Sequence, residues 1–568
     1  MRGIRRVSFT AALAVVATLL VMPTPDAAAE LTAAQVQMAT ANALPPVTGN
    51  ISNRPSMILE TDSYVYGPQT GFSTPEVTVS IDNPSFNEPA RLFVYWQNRV
   101  TNDTRYYTVA DGFVNEERDL FGGKVIVPSL QDFKLFGANS AFGPLGGQLP
   151  GATGSYQMVI EVRDDEDDNR VVARSNALYN IVDGVVQVGA GDLNGGNWTR
   201  NNVYVLTGPV YIASGTLTVQ AGTVVLGSEA GQGTLIALPG GRLNANGTAM
   251  LPIIFSTTVD VGQRVPGSWG GLVLSGNAPV NGGSREGEGD SGTFGGNDPA
   301  YNCGTLRYVR VEWAGIRFSE QNELNGIALQ GCGTGTTIDH VQVHQNLDDG
   351  IEFFGGTTNA KYVLITAAQD DSFDWTFGWN GDLQFGCAIQ GGNAGDNGIE
   401  ADNDGDNSNL EPRSNPTLLN MTFVGTKGTG AQANSEGGIF LRRGTGATIR
   451  NAVVVNFAEP GIVVDGDVSN NGLGSLINVS HSYLFNNTGN LAANVSQYIQ
   501  GQPRVLLQDP RLANPDGLTP DLSPMPGSPA RGAGSSTNVA GFDGVNFAGC
   551  VDPNNPWIWE GWTTFADN

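Results

Sequence analysis

Three acidic residues recur at one position of a repeated tetrapeptide: Gly350-Ile351-Glu352-Phe353, Ser372-Phe373-Asp374-Trp375 and Gly398-Ile399-Glu400-Ala401. Side chains alternate along a strand, so if Ile351, Phe353 and their equivalents face inward, Glu352, Asp374 and Glu400 face outward in register. Carboxylates stacked at strand spacing raise one another's pKa unless a cation sits among them. Asp348-Asp349, Asp370-Asp371, Asp396-Asn397 and Glu436 add acids just before each strand. Downstream, Asp402-Asn403-Asp404-Gly405-Asp406 alternates Asp around a turn-forming Gly, a spacing that lets hard oxygen ligands converge on calcium. The twelfth position from Asp402 is Arg413, not the Glu of an EF-hand, and a solvated turn uses the same residues. The candidate metal ligands are therefore Glu352, Asp374, Glu400, Asp402, Asp404 and Asp406, with calcium as the expected cofactor. Trp379, Arg442 and Arg443 follow as candidate substrate contacts, and the outward Phe354 and Phe440 lie near them.

The element that would position these residues is a repeat. Starts at Gly326, Gly350, Ser372, Gly398, Gly438 and Gly461 give steps of 24, 22, 26, 40 and 23 residues. Periods of this length mark solenoids, with the 40-residue step read as one turn carrying a loop. Three short strands per turn make a right-handed parallel β-helix, expected over residues 195–500. Before it, Val77–Ile81, Leu92–Trp96 and Tyr156–Val162 alternate apolar and polar between Asn, Pro and Gly turns. That predicts an immunoglobulin-like β-sandwich over 55–185. The acidic run Asp164–Asn169 falls at a hairpin turn, and the Gly-rich stretch Gly282–Asn297 reads as a surface loop. The fold class is all-β. Residues 501–568, with Trp557, Trp559 and Trp562, are expected to cap the exposed coil end, which would otherwise be an unpaired edge.

Arg2, Arg5 and Arg6 precede an apolar run from Phe9 to Met22, and Ala27-Ala28-Ala29 offers a cleavage site. Residues 1–29 thus read as a signal peptide and 30–54 as a leader, which implies an exported protein: extracellular, cell-surface or periplasmic. No later stretch has the length of a membrane span. Loss of residues 1–29 removes three Arg and one Asp, moving the formal charge from −26 to −28. Such a balance disfavours nucleic acid and favours cations.

Export permits disulfides, and four cysteines allow three pairings. Cys303 and Cys332 each precede comparable strands, so their loops should share one corner of neighbouring coils; Cys387 with Cys550 would follow by elimination. His340 and His344 are four apart on a strand, roughly 13 Å, sharing a face but no metal ion. They read as surface or turn residues.

Trp198 to Phe255, Trp269-Gly270-Gly271 and the Asp-Asp-Gly-Ile-Glu and Asp-Asp-Ser-Phe-Asp-Trp coils resemble the pectate-lyase-like β-helix superfamily. More narrowly they resemble secreted bacterial β-helix proteins of unassigned activity. That resemblance implies the fold and three functional readings. One is a non-enzymatic scaffold or adhesin that binds cations, polysaccharide or other cell-surface components. Another is a calcium-dependent polysaccharide lyase with Arg442 or Arg443 as base. The third is a hydrolase using the acidic ladder. The Asn-Thr-Asp, Gly-His-Gly and Arg-Ile-Lys motifs of galacturonases do not occur.

Overall fold

The computed structural model describes residues 56–566 apart from internal segments, the longest being 67–76, 83–89, 143–152, 427–436, 466–475 and 496–504. The expected export signal and leader, the acidic turn at 165–169 and Glu436 lie outside the described residues. No helix among the described residues is long and apolar enough to cross a membrane.

The chain is all-β. Residues from Gly184 onward wind a parallel solenoid with one sheet of 17 strands and another of 10. Alternation dictates its interior. Ile351, Phe353, Phe373, Trp375, Ile399, Ala401, Ile439, Leu441, Ile462 and Val464 all lie in one continuous buried core. Ahead of it, a three-stranded and a six-stranded sheet enclose a second core that includes Leu59, Val79, Trp96, Met158 and Tyr179. Leu178 and Val182 of that region pack on Val203, Val224 and Ile254 of the solenoid.

Early coils have three short strands, as at Asn202–Leu206, Pro209–Ile212 and Gly215–Val219. In the middle coils two of the three join into one bent strand, as in Gly304–Glu312, Thr337–His344 and Ala360–Thr366. The bend falls on Tyr308, His340, Tyr362, Phe385 and Asn420, all with φ between 46° and 62°. Only Asn takes that region readily. The rings compensate by stacking, with Tyr308–His340, His340–Tyr362 and Tyr362–Phe385 centroids 4.4, 4.2 and 4.8 Å apart. His340 is therefore a turn residue, but a buried one. His344 is buried too, bonded to Thr366 Oγ1 and the Ala566 carbonyl. Neither is at the surface.

The carboxy-terminal aromatic group does not cover the coil end. Trp557 and Trp562 set their edges on the Tyr308–His340–Tyr362 stack, along the solenoid's flank. The segment runs back along that flank. Tyr483 meets Pro529, Asn420 meets Phe547, Gln384 meets Asp543, and Gln342 meets Thr564. The outward stack is an apolar surface that needs cover, and the strap supplies it. A Cys387–Cys550 disulfide ties the strap to its strand, and Cys303 pairs with Cys332 across one corner.

Candidate functional site: an acidic ladder on the ten-stranded sheet

The ten-stranded sheet carries the residues singled out by type and spacing. Ala328 pairs with Glu352, Glu352 with Asp374, Asp374 with Glu400, Glu400 with Phe440, and Phe440 with Val463. The three carboxylates thus form a column, one per coil, on the side away from the core. A second column stands at the corner. Asp349 Oδ1 accepts the Asp371 N–H (3.0 Å), Asp371 Oδ1 the Asn397 N–H (2.7 Å), and Asn397 Oδ1 the Gly437 N–H (2.8 Å). Each corner side chain thereby satisfies a backbone donor of the next coil and is fixed beside the ladder.

The columns converge. Asp349, Glu352 and Asp374 bring one oxygen each within 4.8 Å of one another, and so do Asp371, Asp374 and Glu400. Asp374 belongs to both groups. Two further triads at the rim, Asp348–Asp349–Asp370 and Asp370–Asp371–Asp396, have the same spacing. Burial, then the neighbouring carboxylates, pushes Asp349, Glu352, Asp371 and Asp374 well above the usual range, and Asp348 up to about 9.

The Gly-rich insertion, expected as a surface loop, folds back over the outward face. Its Phe294, with Val280 just ahead of the insertion, is buried against Ile236, Val273 and Ala328. It also delivers Glu288, which burial raises to about 7. Asn325 bridges the two regions, its Nδ2 donating to Glu352 Oε2 (2.7 Å) and Glu288 Oε2 (3.2 Å). Its amide oxygen is buried and, among the described residues, has no hydrogen-bond partner. Glu288 stands outside the repeat, whereas Asn325 precedes Gly326 at the corner position that Asp349, Asp371 and Asn397 occupy in later coils, and only its lack of charge hid it among the acids. The acidity of the insertion was the available signal for Glu288.

The other end of the ladder is closed by arginine. Arg442 donates to Glu400 and to Asp402 Oδ1 (2.7 Å), and Arg443 to Asp402 Oδ2 (2.6 Å). Burial pushes Glu400 up to about 7 even with Arg442 alongside. Burial would lower the Arg442 pKa, but its hydrogen bond to Asp402 and the charges of Asp402 and Glu400 hold it above the ordinary value. That disqualifies it as a proton acceptor near neutrality.

The remaining sequence candidates lie apart from the ladder. Asp404 meets Arg285 (2.5 Å) from the insertion and accepts the Asp406 and Asn407 N–H groups as a turn former. Asp406 is exposed. Trp379 is fully buried and stacked on Phe353 at 3.9 Å inside the solenoid, so it cannot face a substrate. The turn at Phe377 and Gly378, both with positive φ, reverses the alternation before it. Phe354 and Phe440 are covered as well.

No curated protein and no solved structure matches the chain. A carboxylate column on a parallel solenoid is a site grafted on a scaffold, and residues 195–505, more than half of the chain, match the pectate-lyase like beta helix domain, the family to which this protein belongs.

Proposed function

We propose that the chain is an exported, carbohydrate-related β-helix scaffold that loads divalent cations into the Glu352–Asp374–Glu400 ladder and uses them to hold acidic polysaccharide or another cell-surface component. One observation carries this reading: the overlapping Asp349–Glu352–Asp374 and Asp371–Asp374–Glu400 triads, each within 4.8 Å. Among the described residues no guanidinium or ammonium group bonds to Asp349, Glu352 or Asp374. Hard carboxylate oxygens at this density suit calcium, and the orphaned Asn325 amide oxygen is a neutral oxygen ligand of the same type. Asp402 and Asp404, engaged by arginine, are weaker ligand candidates than the corner acids Asp349 and Asp371.

A non-enzymatic role is favoured because each arginine beside the ladder is already spent on a carboxylate. The amino-terminal pair of sheets, read as an immunoglobulin-like sandwich, would serve docking. The test is a thermal melt in EDTA against calcium, followed by binding to a panel of acidic polysaccharides. Calcium should raise the melting temperature and permit binding without new ultraviolet absorbance from unsaturated sugar ends. Identical melts would remove the cation, and new absorbance would replace the scaffold with a lyase.

A further inference from the structure

The flanking strap and the amino-terminal sheets enclose a cavity of about 740 Å³, and it shares no lining residue with the acidic ladder. Its size falls in the range of small-ligand sites. The walls come from Ile58 and Leu59 of the three-stranded sheet, 171–176 of the six-stranded sheet, 511–514 with 521–531, and 556–565 with Pro553. They are tied to one another, since Asn176 Nδ2 donates to the Gly561 carbonyl (3.0 Å) and Trp559 Nε1 to the Pro520 carbonyl (3.3 Å).

The charge of this cavity is opposite to that of the chain. In a protein of net charge −26, its lining holds Arg174, Arg511 and Arg531 against a single acid, Asp521. Arg174 lies 3.4 Å from Glu161, which leaves Arg511 and Arg531 as the distinctive pair. Both are held by backbone oxygens of one turn. Arg511 Nη1 donates to the Gly527 carbonyl (3.2 Å) and Arg531 Nε to the Pro524 carbonyl (2.7 Å). Among the described residues neither has a carboxylate partner. A guanidinium has five donors, so each keeps several for a ligand. Asp521 is already turned to the Ser523 N–H. Beside the pair stand the partly exposed rings of Trp559 and Phe565.

We infer that this cavity is a second binding site, for a ligand that joins a carboxylate to a ring with an apolar face. A guanidinium recognises a carboxylate by fork geometry, and the aromatic wall takes the ring. A sugar acid and an aromatic acid share that chemistry, and the test separates them.

Calorimetric titration of the full chain is run in EDTA, so that cation-bridged binding at the ladder is silent. The probes are glucuronate, benzoate and glucose. One of the two carboxylates should bind saturably and glucose should not; the stronger one identifies the ring. Arg511→Gln with Arg531→Gln should weaken that binding about tenfold or more, whereas Glu352→Gln should leave it unchanged. Should the arginine double variant melt early, Trp559→Ala probes the same cavity from its ring wall, with a comparable loss expected. Glucose binding as tightly as glucuronate, no saturable carboxylate binding, or undiminished binding by the folded variants would each overturn the inference.

Discussion

The outward column of the ten-stranded sheet has two halves built on one scaffold. Tyr211, Ile236, Val273 and Ala328 occupy it in the early coils, and Glu352, Asp374 and Glu400 in the later ones. Register is the same in both, because the inward residues set it. What differs is the cover. Val280, Phe294 and Leu324 cover the apolar half, whereas Glu288 and Asn325 stand at the edge of the acidic half. The solenoid thus specifies a position without specifying its chemistry, and the side chain facing that position is matched by its lid.

If cover and column are matched, exchanging chemistry between the halves should be the most disruptive change. Val273→Glu sets a carboxylate among buried apolar groups with no partner. It should cost about 3–5 kcal/mol, read as an earlier denaturation midpoint. Calcium should not recover it, because Val273 lies two coils from Glu352. Recovery would mean that the lid is mobile enough to admit an ion.

The next largest effect belongs to the acidic half alone. Its carboxyls are held above the usual range when folded, whereas in the unfolded chain they ionise near pH ~4. The folded state therefore holds more protons over that interval, and cation-free stability should fall as pH rises above ~4. Calcium should offset the loss by about 2.7 kcal/mol at a hundredfold excess over its dissociation constant. Melting scans across pH, with EDTA and with calcium, should diverge toward alkaline pH. Parallel curves would sink the cation site.

Within the ladder the two ends should respond with opposite sign. Glu352→Gln keeps shape and removes a charge with no cationic partner, so in EDTA it should raise stability by about 1 kcal/mol and shrink the calcium increment. Glu400→Gln removes one of the two carboxylates that hold Arg442 and should lower stability by about 1–3 kcal/mol. A pair of variants moving in the same direction would show that the ladder behaves as one undivided charge.

The comparison also explains what could be read from sequence. The parity of Ile351-Glu352-Phe353 and its repeats is a local property of strands, so the column, its register and the Cys303–Cys332 corner were legible. Three features were not. The positive φ of Tyr308 and His340 breaks alternation without a glycine to announce it, and Phe377 does so one residue before Gly378. It hid the aromatic stack beneath the strap and the inward turn of Trp379. Arg285 reaches Asp404 across 119 residues, a pairing no spacing rule contains. The strap's path along the flank depends on that same stack, and so was hidden with it.

The smallest expected effect is the sharpest test of how Asp402 is divided between its two arginines. Arg442 is largely buried and also holds Glu400, whereas the Arg443 side chain is 48% exposed and, among the described residues, bonds the Asp402 carboxylate alone. Arg443 has φ of 47°, a conformation Asn adopts at lower cost. Arg443→Asn gives up an exposed ion pair worth about 0–1 kcal/mol and relieves the backbone, so its melting temperature should be nearly unchanged. Arg442→Asn leaves Glu400 uncompensated, with Asp402 still held by Arg443. It should destabilise the EDTA form and enlarge the calcium increment, because the Glu400 carboxylate is then released from its guanidinium. Equal effects of the two substitutions would mean that Asp402, not Glu400, marks the boundary of the acidic half.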